Sequence, residues 1–309
     1  MLMSFFGERE NAGSSIAASL HEKAWNITDC AIKGMLLEFS CTPKPGLVDR
    51  QNSGANQDMD HVLFCLSSAS LCSGFWAFSM LGLGSEDDLS LLKRLREKGI
   101  QVERKMFRTT GGVNTQKGLI FLMGLVCAAS GSLAGEGLSL EPEKVAEKVA
   151  SITRGICERE LGSFKRGFSE SSMTTGERLF RQYGMRGIRG EVEDALPSVI
   201  HQGLPELKTC LGSGMSMNDA MVNSLMAIMS VSDDTNVVAR SDLKTLKDKI
   251  QPMAKEILKL GGMRTEEGRS AVQDMDRQLI ESNINPGGSA DLLAVTCAMF
   301  FLENLEDVQ

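Results

Sequence analysis

The stretch LKTLKDKIQPMAKEILKLGG, Leu243 to Gly262, is the most regular in the chain. Its apolar residues, Leu243, Leu246, Ile250, Met253, Ile257 and Leu260, recur at spacings of three and four. That spacing lays one apolar stripe along an α-helix. Gly261-Gly262 suits the end of such a helix, because glycine enters the left-handed region without a side-chain clash.

The same period extends outward. Ile16, Leu20, Ile27, Ala31 and Met35 mark a helix ending near Ser40. A second starts about Asp60 and runs through Phe64, Ala69 and Phe75; Leu89, Leu92 and Leu95 open a third towards Met106. Thr115 to Ala129 is apolar nearly all round and reads as a central buried helix. Val145, Val149, Ile152 and Ile156 mark another, opened by Glu141-Pro142, and Ala290 to Leu305 forms the last. Alternating β-branched runs bounded by turns are absent. The expectation is an all-α protein of ten or more helices, with a frayed start over residues 1–14 and one all-helical domain over 15–309.

A net charge of −7 and a pI near 5.2 exclude a non-specific nucleic-acid binder, which needs a basic footprint. An anionic ligand must then be held by a local cluster of cations. The apolar runs read as too short to span a bilayer, and none follows a basic leader. The eight cysteines are scattered without a Cys-x-x-Cys pair, which suits reduced, buried thiols in a cytoplasmic protein. Three histidines, His21, His61 and His201, are too dispersed for zinc. Met221, Met226 and Met229 read as core, with a homodimer face as the other use of such a stripe.

Five polar, Gly-bearing segments interrupt the apolar pattern. The first, Thr42 to Asp60, carries Lys44, Asp49, Arg50, Asn52, Ser53, Asp58 and Asp60, with Pro43 and Pro45 stiffening it. Both signs of charge on a stiff loop suit a phosphorylated, metal-bridged ligand. The second, Thr109 to Gly118, enters the buried helix with Asn114, Thr115 and Lys117. The fifth, Asn285 to Asp291, opens the last helix with Gly287, Gly288 and Ser289. Both bring backbone N–H groups to a helix start, where an anion is favoured; capping by Thr115 and Ser289 explains the same residues. The third, Thr174 to Glu191, holds Glu177, Arg178, Arg181, Arg186 and Arg189, the densest basic cluster in an acidic chain. The fourth is Asp233-Asp234-Thr235-Asn236 with Arg240. Its aspartates, with Asp58 and Asp60, are hard oxygen ligands of the kind magnesium takes, and are equally good helix caps. Glu38, at the end of the first helix, is placed to act as a base beside the loop.

Together the segments resemble the triphosphoribosyl-dephospho-CoA synthase family. The matching pieces are Thr42-Pro43-Lys44-Pro45-Gly46-Leu47-Val48-Asp49-Arg50, Asn52-Ser53-Gly54-Ala55, Asp58-Met59-Asp60, Gly111-Gly112-Val113-Asn114-Thr115, Lys117-Gly118, Thr174-Thr175-Gly176-Glu177, Arg189-Gly190-Glu191, Asp234-Thr235-Asn236-Val237-Val238, Arg240 and Pro286 to Ala294. They run in family order from about Glu38 to Ala294.

The resemblance implies an all-helical pentosyltransferase. It would join ATP to 3′-dephospho-CoA with release of adenine, making the precursor of the prosthetic group of citrate lyase or malonate decarboxylase. The product would pass to a partner transferase acting on an acyl carrier subunit. On this resemblance the triphosphate is assigned to Lys44, Arg50, Lys117 and the Arg178/Arg189 region. Asn52, Ser53, Asn114, Thr115, Arg240, Gly287, Gly288 and Ser289 are further substrate contacts. Magnesium goes to some of Asp58, Asp60, Asp233, Asp234 and Asp291, and Glu38, Asp49 or Glu177 is the carboxylate at the anomeric carbon. The chain departs from the family pattern at Asn56 and Gln116, where histidines are expected, and at Ser241-Asp242, where a glycine pair is expected. Two other readings stand beside it: a magnesium-dependent N-ribosyl hydrolase, suggested by Asp233-Asp234-Thr235, and a nucleotide-binding protein that has lost turnover.

Overall fold

The computed structural model describes residues 4–85, 87–162 and 173–305, with side chains from residue 18 onward. Residues 1–3 of the expected frayed start lie outside the described residues. The described chain holds thirteen α-helices and no strand: α1 (Ser4–Ser40), α2 (His61–Leu83), α3 (Asp88–Thr109), α4 (Lys117–Gly135), α5 (Pro142–Thr153), α6 (Thr175–Tyr183), α7 (Gly187–Glu193), α8 (Leu204–Gly212), α9 (Met217–Met229), α10 (Thr235–Arg240), α11 (Gln251–Lys259), α12 (Glu266–Glu281) and α13 (Gly287–Glu303). The all-α expectation is met in a single globular domain.

The central helix is α4, read from the sequence as apolar all round. It packs against α1, α2, α3, α5 and α13. Backbones come close where side chains are missing. A Cβ placed on Gly82 of α2 would lie 2.0 Å from the Ala128 carbonyl oxygen of α4, and one on Gly131 would lie 2.3 Å from the Ser79 carbonyl oxygen. Nothing flexible can yield at either contact. Gly82→Val should therefore destabilise the fold by about 3 kcal/mol, since overpacked cores must shift backbone. Equilibrium denaturation checks this, and a loss below about 1 kcal/mol would show that the two helices slide apart freely. Met221, Met226 and Met229 are buried in α9, as core.

Four expectations need correction. The stretch Leu243–Leu260 is one periodic run but two structures, a π-helical segment, Thr245–Ile250, followed by α11. Pro252 is the cause visible in the sequence: it has no N–H to donate and crowds the carbonyl one turn back, so the wider π turn precedes it. Two helices, α2 and α4, do have the length and composition of a membrane span. The most apolar window of α4 is 83% buried inside the bundle, and that of α2 only 44%. The cysteines are all free, six of them buried, but Cys65 is exposed on α2. Finally, α6 and α7 run through the third polar segment, which is helical for most of its length.

Candidate active site

All five polar segments meet at one cavity of about 720 Å³. The first supplies Lys44 and Asn56, the second Asn114, Thr115, Gln116, Lys117 and Gly118, and the third Ile188 and Arg189. The fourth supplies Thr235, Asn236 and Arg240, and the fifth Asn285, Gly287, Gly288 and Asp291. Glu38 lines the same space from the C-terminal end of α1. The size falls in the usual range for a small-molecule site.

Within the first loop, Asp49 is the organiser. One carboxylate oxygen accepts from the Thr42 hydroxyl at 2.6 Å and the Lys44 N–H at 3.2 Å; the other accepts from the N–H groups of Gln51 and Asn52 at 2.7 and 3.0 Å. With its oxygens occupied and outside the cavity lining, Asp49 holds the loop's shape. Asp276 of α12 ties the loop down, accepting from the Gly46 N–H and from Asn52. Asn218 of α9 brackets Thr42, accepting from its N–H and donating to its carbonyl. The loop so held aims Lys44 inward onto Glu38, Nζ to Oε1, with side chains only 2% and 6% exposed. A buried carboxylate and ammonium survive only as such a pair.

Asn56 and Gln116 sit where the family pattern leads one to expect histidine, and both are buried. Asn56 accepts from Arg240 at 3.1 Å and from Asn285 at 2.9 Å. Gln116 accepts from Ser67 at 2.8 Å and donates to Ser68 at 3.2 Å. Both amides are hydrogen-bonded and cannot titrate.

The start of α13 is capped from inside the protein. Asp234 accepts from the Ser289 N–H and hydroxyl at 2.8 and 2.9 Å, and from the N–H groups of Asn236 and Val237 at the start of α10. One buried carboxylate thus satisfies two helix N-termini. Burial pushes its pKa up, against the pull of those donors. Neither Thr115 nor Ser289 is an N-cap, since α4 and α13 begin after Gln116 and Pro286. Thr115 bonds to Ser67 instead.

Asp291 is different. Among the described residues its carboxylate has no hydrogen-bond donor or ion-pair partner. It presses against Gly118, where an added Cβ would lie 2.0 Å from Oδ2. Burial, then Glu38 and then Asp234, push its pKa well above the usual carboxylate range, and Lys44 opposes them. Gly118 and Asp291, from the second and fifth segments, thus build one wall together.

Across the cavity, Glu160 gathers two guanidinium groups. Arg189 donates through Nε at 2.6 Å, and Arg96 of α3 pairs with the other carboxylate oxygen. Lys117 pairs with Glu103 of α3. Arg96, Glu103, Glu160, Asn236 and Asn285 were not visible as site residues in the sequence. Arg96 and Glu103 look there like the solvated face of an amphipathic helix.

Several sequence candidates lie elsewhere. Glu177 closes a capping box with Thr174 at the start of α6, which holds its pKa down, and Arg178 is an exposed neighbour. Asp60 caps α2, and Asp58 and Arg50 are exposed outside the cavity lining. Asp233 pairs with Lys247. Ser53 gives its carbonyl to Asn56 and Asn52 braces the loop. The five aspartates read as metal ligands are not gathered, and among the described residues no three acidic, His or Cys side chains form a metal-binding group.

The comparisons with known proteins agree with the order of the segments. Two relatives carry the name probable 2-(5″-triphosphoribosyl)-3′-dephosphocoenzyme-A synthase. The one from Vibrio cholerae serotype O1 is 37% identical over 281 residues, 90% of this chain and 88% of its own. The one from Malonomonas rubra is 36% identical over 290 residues, 94% of this chain and 91% of its own. No solved structure matches. Every cavity segment lies within residues 24–309, the part that matches a single family over its length, and the chain belongs to the ATP:dephospho-CoA triphosphoribosyl transferase family.

Proposed function

We propose that this chain joins ATP to 3′-dephospho-CoA, forming 2′-(5″-triphosphoribosyl)-3′-dephospho-CoA and releasing adenine. The observation that carries the reading is the convergence of all five family-ordered segments on one charged cavity. The 2′-hydroxyl of dephospho-CoA attacks the anomeric carbon of ATP, the bond to adenine breaks, and the configuration inverts. The hydroxyl proton goes to a base, and the departing adenine takes up a proton. Charge at the anomeric carbon is oxocarbenium-like, so a nearby carboxylate stabilises it.

Of the three carboxylates considered from sequence, Glu38 alone lines the cavity, and we assign it as the base, with Lys44 fixing its position. Arg240 lines the same space and holds the triphosphate, and Lys117, paired with Glu103, lines it too. Gly287 and Gly288, at the start of α13, line it as well. Magnesium fits this site through Asp291: a carboxylate with no donor, repelled by Glu38 and Asp234, is relieved by a divalent cation. Bound there, the ion would neutralise phosphate charge. The product serves a partner transferase in the cytoplasm, a placement supported by the scattered free cysteines.

The test is incubation with ATP, magnesium and 3′-dephospho-CoA, read by mass spectrometry. Adenine and the coupled product should appear in equal amounts. Adenine or ADP-ribose release without dephospho-CoA would instead make the chain a hydrolase. ATP binding without turnover would make it a binding protein, and Asn56 and Gln116 the first positions to restore to histidine.

A further inference from the structure

A reaction between two nucleotides needs two anion subsites, and two charged groups line the cavity. One holds Lys44, Arg240, Asn56, Asp291 and the start of α13; in the other, Arg96 and Arg189 converge on Glu160. Glu160 is shared by the two guanidinium groups, and Glu177 lies near enough to Arg189 to act on it as well. Burial lowers the pKa of both arginines, and for Arg96 the nearby Arg159 and Arg189 lower it further. Arg189 reaches Glu160 through Nε, and its terminal amino groups have no partner among the described residues. A guanidinium held by Nε with its outer edge open is ready to bind phosphate oxygens.

The wall beside this cluster carries an apolar strip between its charged residues. Leu92, Leu95, Arg96, Gly99, Ile100 and Glu103 lie at helical spacing on α3 and all face the cavity. Gly99 leaves a gap in that wall, with nothing within 4 Å of where a Cβ would stand. Arg96 and Ile100 are about half exposed, at 47% and 51%, so this part of the cavity opens to solvent. A nucleoside triphosphate has no use for an apolar strip leading outward from its phosphates. A nucleotide whose diphosphate carries a long uncharged arm does.

Resting on the proposed function, we propose that Arg96 and Arg189, gathered by Glu160, bind the diphosphate of the acceptor nucleotide. The strip formed by Leu92, Leu95, Gly99 and Ile100 guides the uncharged arm out of the cavity. The triphosphate of ATP then lies at the Lys44, Arg240 and Asp291 group, where a metal ion can share its larger charge.

Equilibrium titration of the full chain with dephospho-CoA, ATP and AMP separates the possibilities. Arg96→Ala should weaken dephospho-CoA about 10- to 100-fold, the worth of charge-assisted hydrogen bonds. It should leave ATP, and AMP, which lacks both diphosphate and arm, within about twofold, well under the tenfold that 1.4 kcal/mol represents. Ile100→Asp, at an exposed position that does not threaten folding, should weaken dephospho-CoA in the same selective way. Unchanged dephospho-CoA binding in either variant, or an equal loss for ATP, overturns the subsite and leaves the proposed function standing. A wild-type protein that binds no dephospho-CoA overturns both.

Discussion

Asp291→Asn should lower adenine release about 100- to 1,000-fold, the effect of removing one preorganised electrostatic group from an active site, and yet raise the stability of the ligand-free protein. Both follow from one arrangement. The Asp291 carboxylate is wedged against Gly118, has no donor among the described residues, and is repelled by Glu38 and Asp234. Asp291 is partly shielded from water, and a charged group left there without a donor costs about 1 kcal/mol or more. The amide keeps the shape and removes the charge, so the melting temperature should rise by about 2–4 °C for each kcal/mol recovered. Magnesium with ATP should raise the melting temperature of the wild type by mass action and should fail to do so in the variant. Turnover at the wild-type rate would remove Asp291 from the site. A destabilised variant would mean that the carboxylate makes a bond the fold depends on.

Lys44→Met should cost the fold about 3–5 kcal/mol, because it leaves Glu38 as an uncompensated buried charge. The side chains of the pair are nearly inaccessible, at 2% and 6%, so water cannot replace the lost partner. The double variant Glu38→Gln with Lys44→Met removes both charges and should recover most of that stability. It should not recover activity: loss of a positioned base lowers turnover about 100- to 10,000-fold. Denaturation midpoints and adenine release on the wild type, the two single variants Lys44→Met and Glu38→Gln, and the double variant give a thermodynamic cycle with separate readouts. A single variant within 1 kcal/mol of wild type would show that the pair is dispensable to the fold. A double variant with full activity would take Glu38 out of the reaction.

Much of the architecture was legible in local pattern. The apolar run entering α4 marked the buried helix, Asp60 the start of α2, Pro142 the start of α5 and Gly261-Gly262 the end of α11, because caps and periodicity act within one or two turns. Pro252 was the local signal for the π segment before α11. The site was legible as five segments in order, but not as roles. Asp49, Asp234, Glu177 and Asp60 read alike as polar loop acids. In the fold each has donors that explain it without a ligand, while Asp291 has none among the described residues.

What the sequence by itself determined is the helical class and the five ordered segments that mark the family, both set by neighbours along the chain. What only the tertiary structure decided is which charges share a cavity. Ser289 donates to Asp234 from 55 residues away, Arg240 reaches Asn56 across 184, and Glu160 draws Arg96 and Arg189 together from separate helices. A carboxylate's chemistry depends on the donors and charges around it, and packing brings those from positions that no local pattern connects.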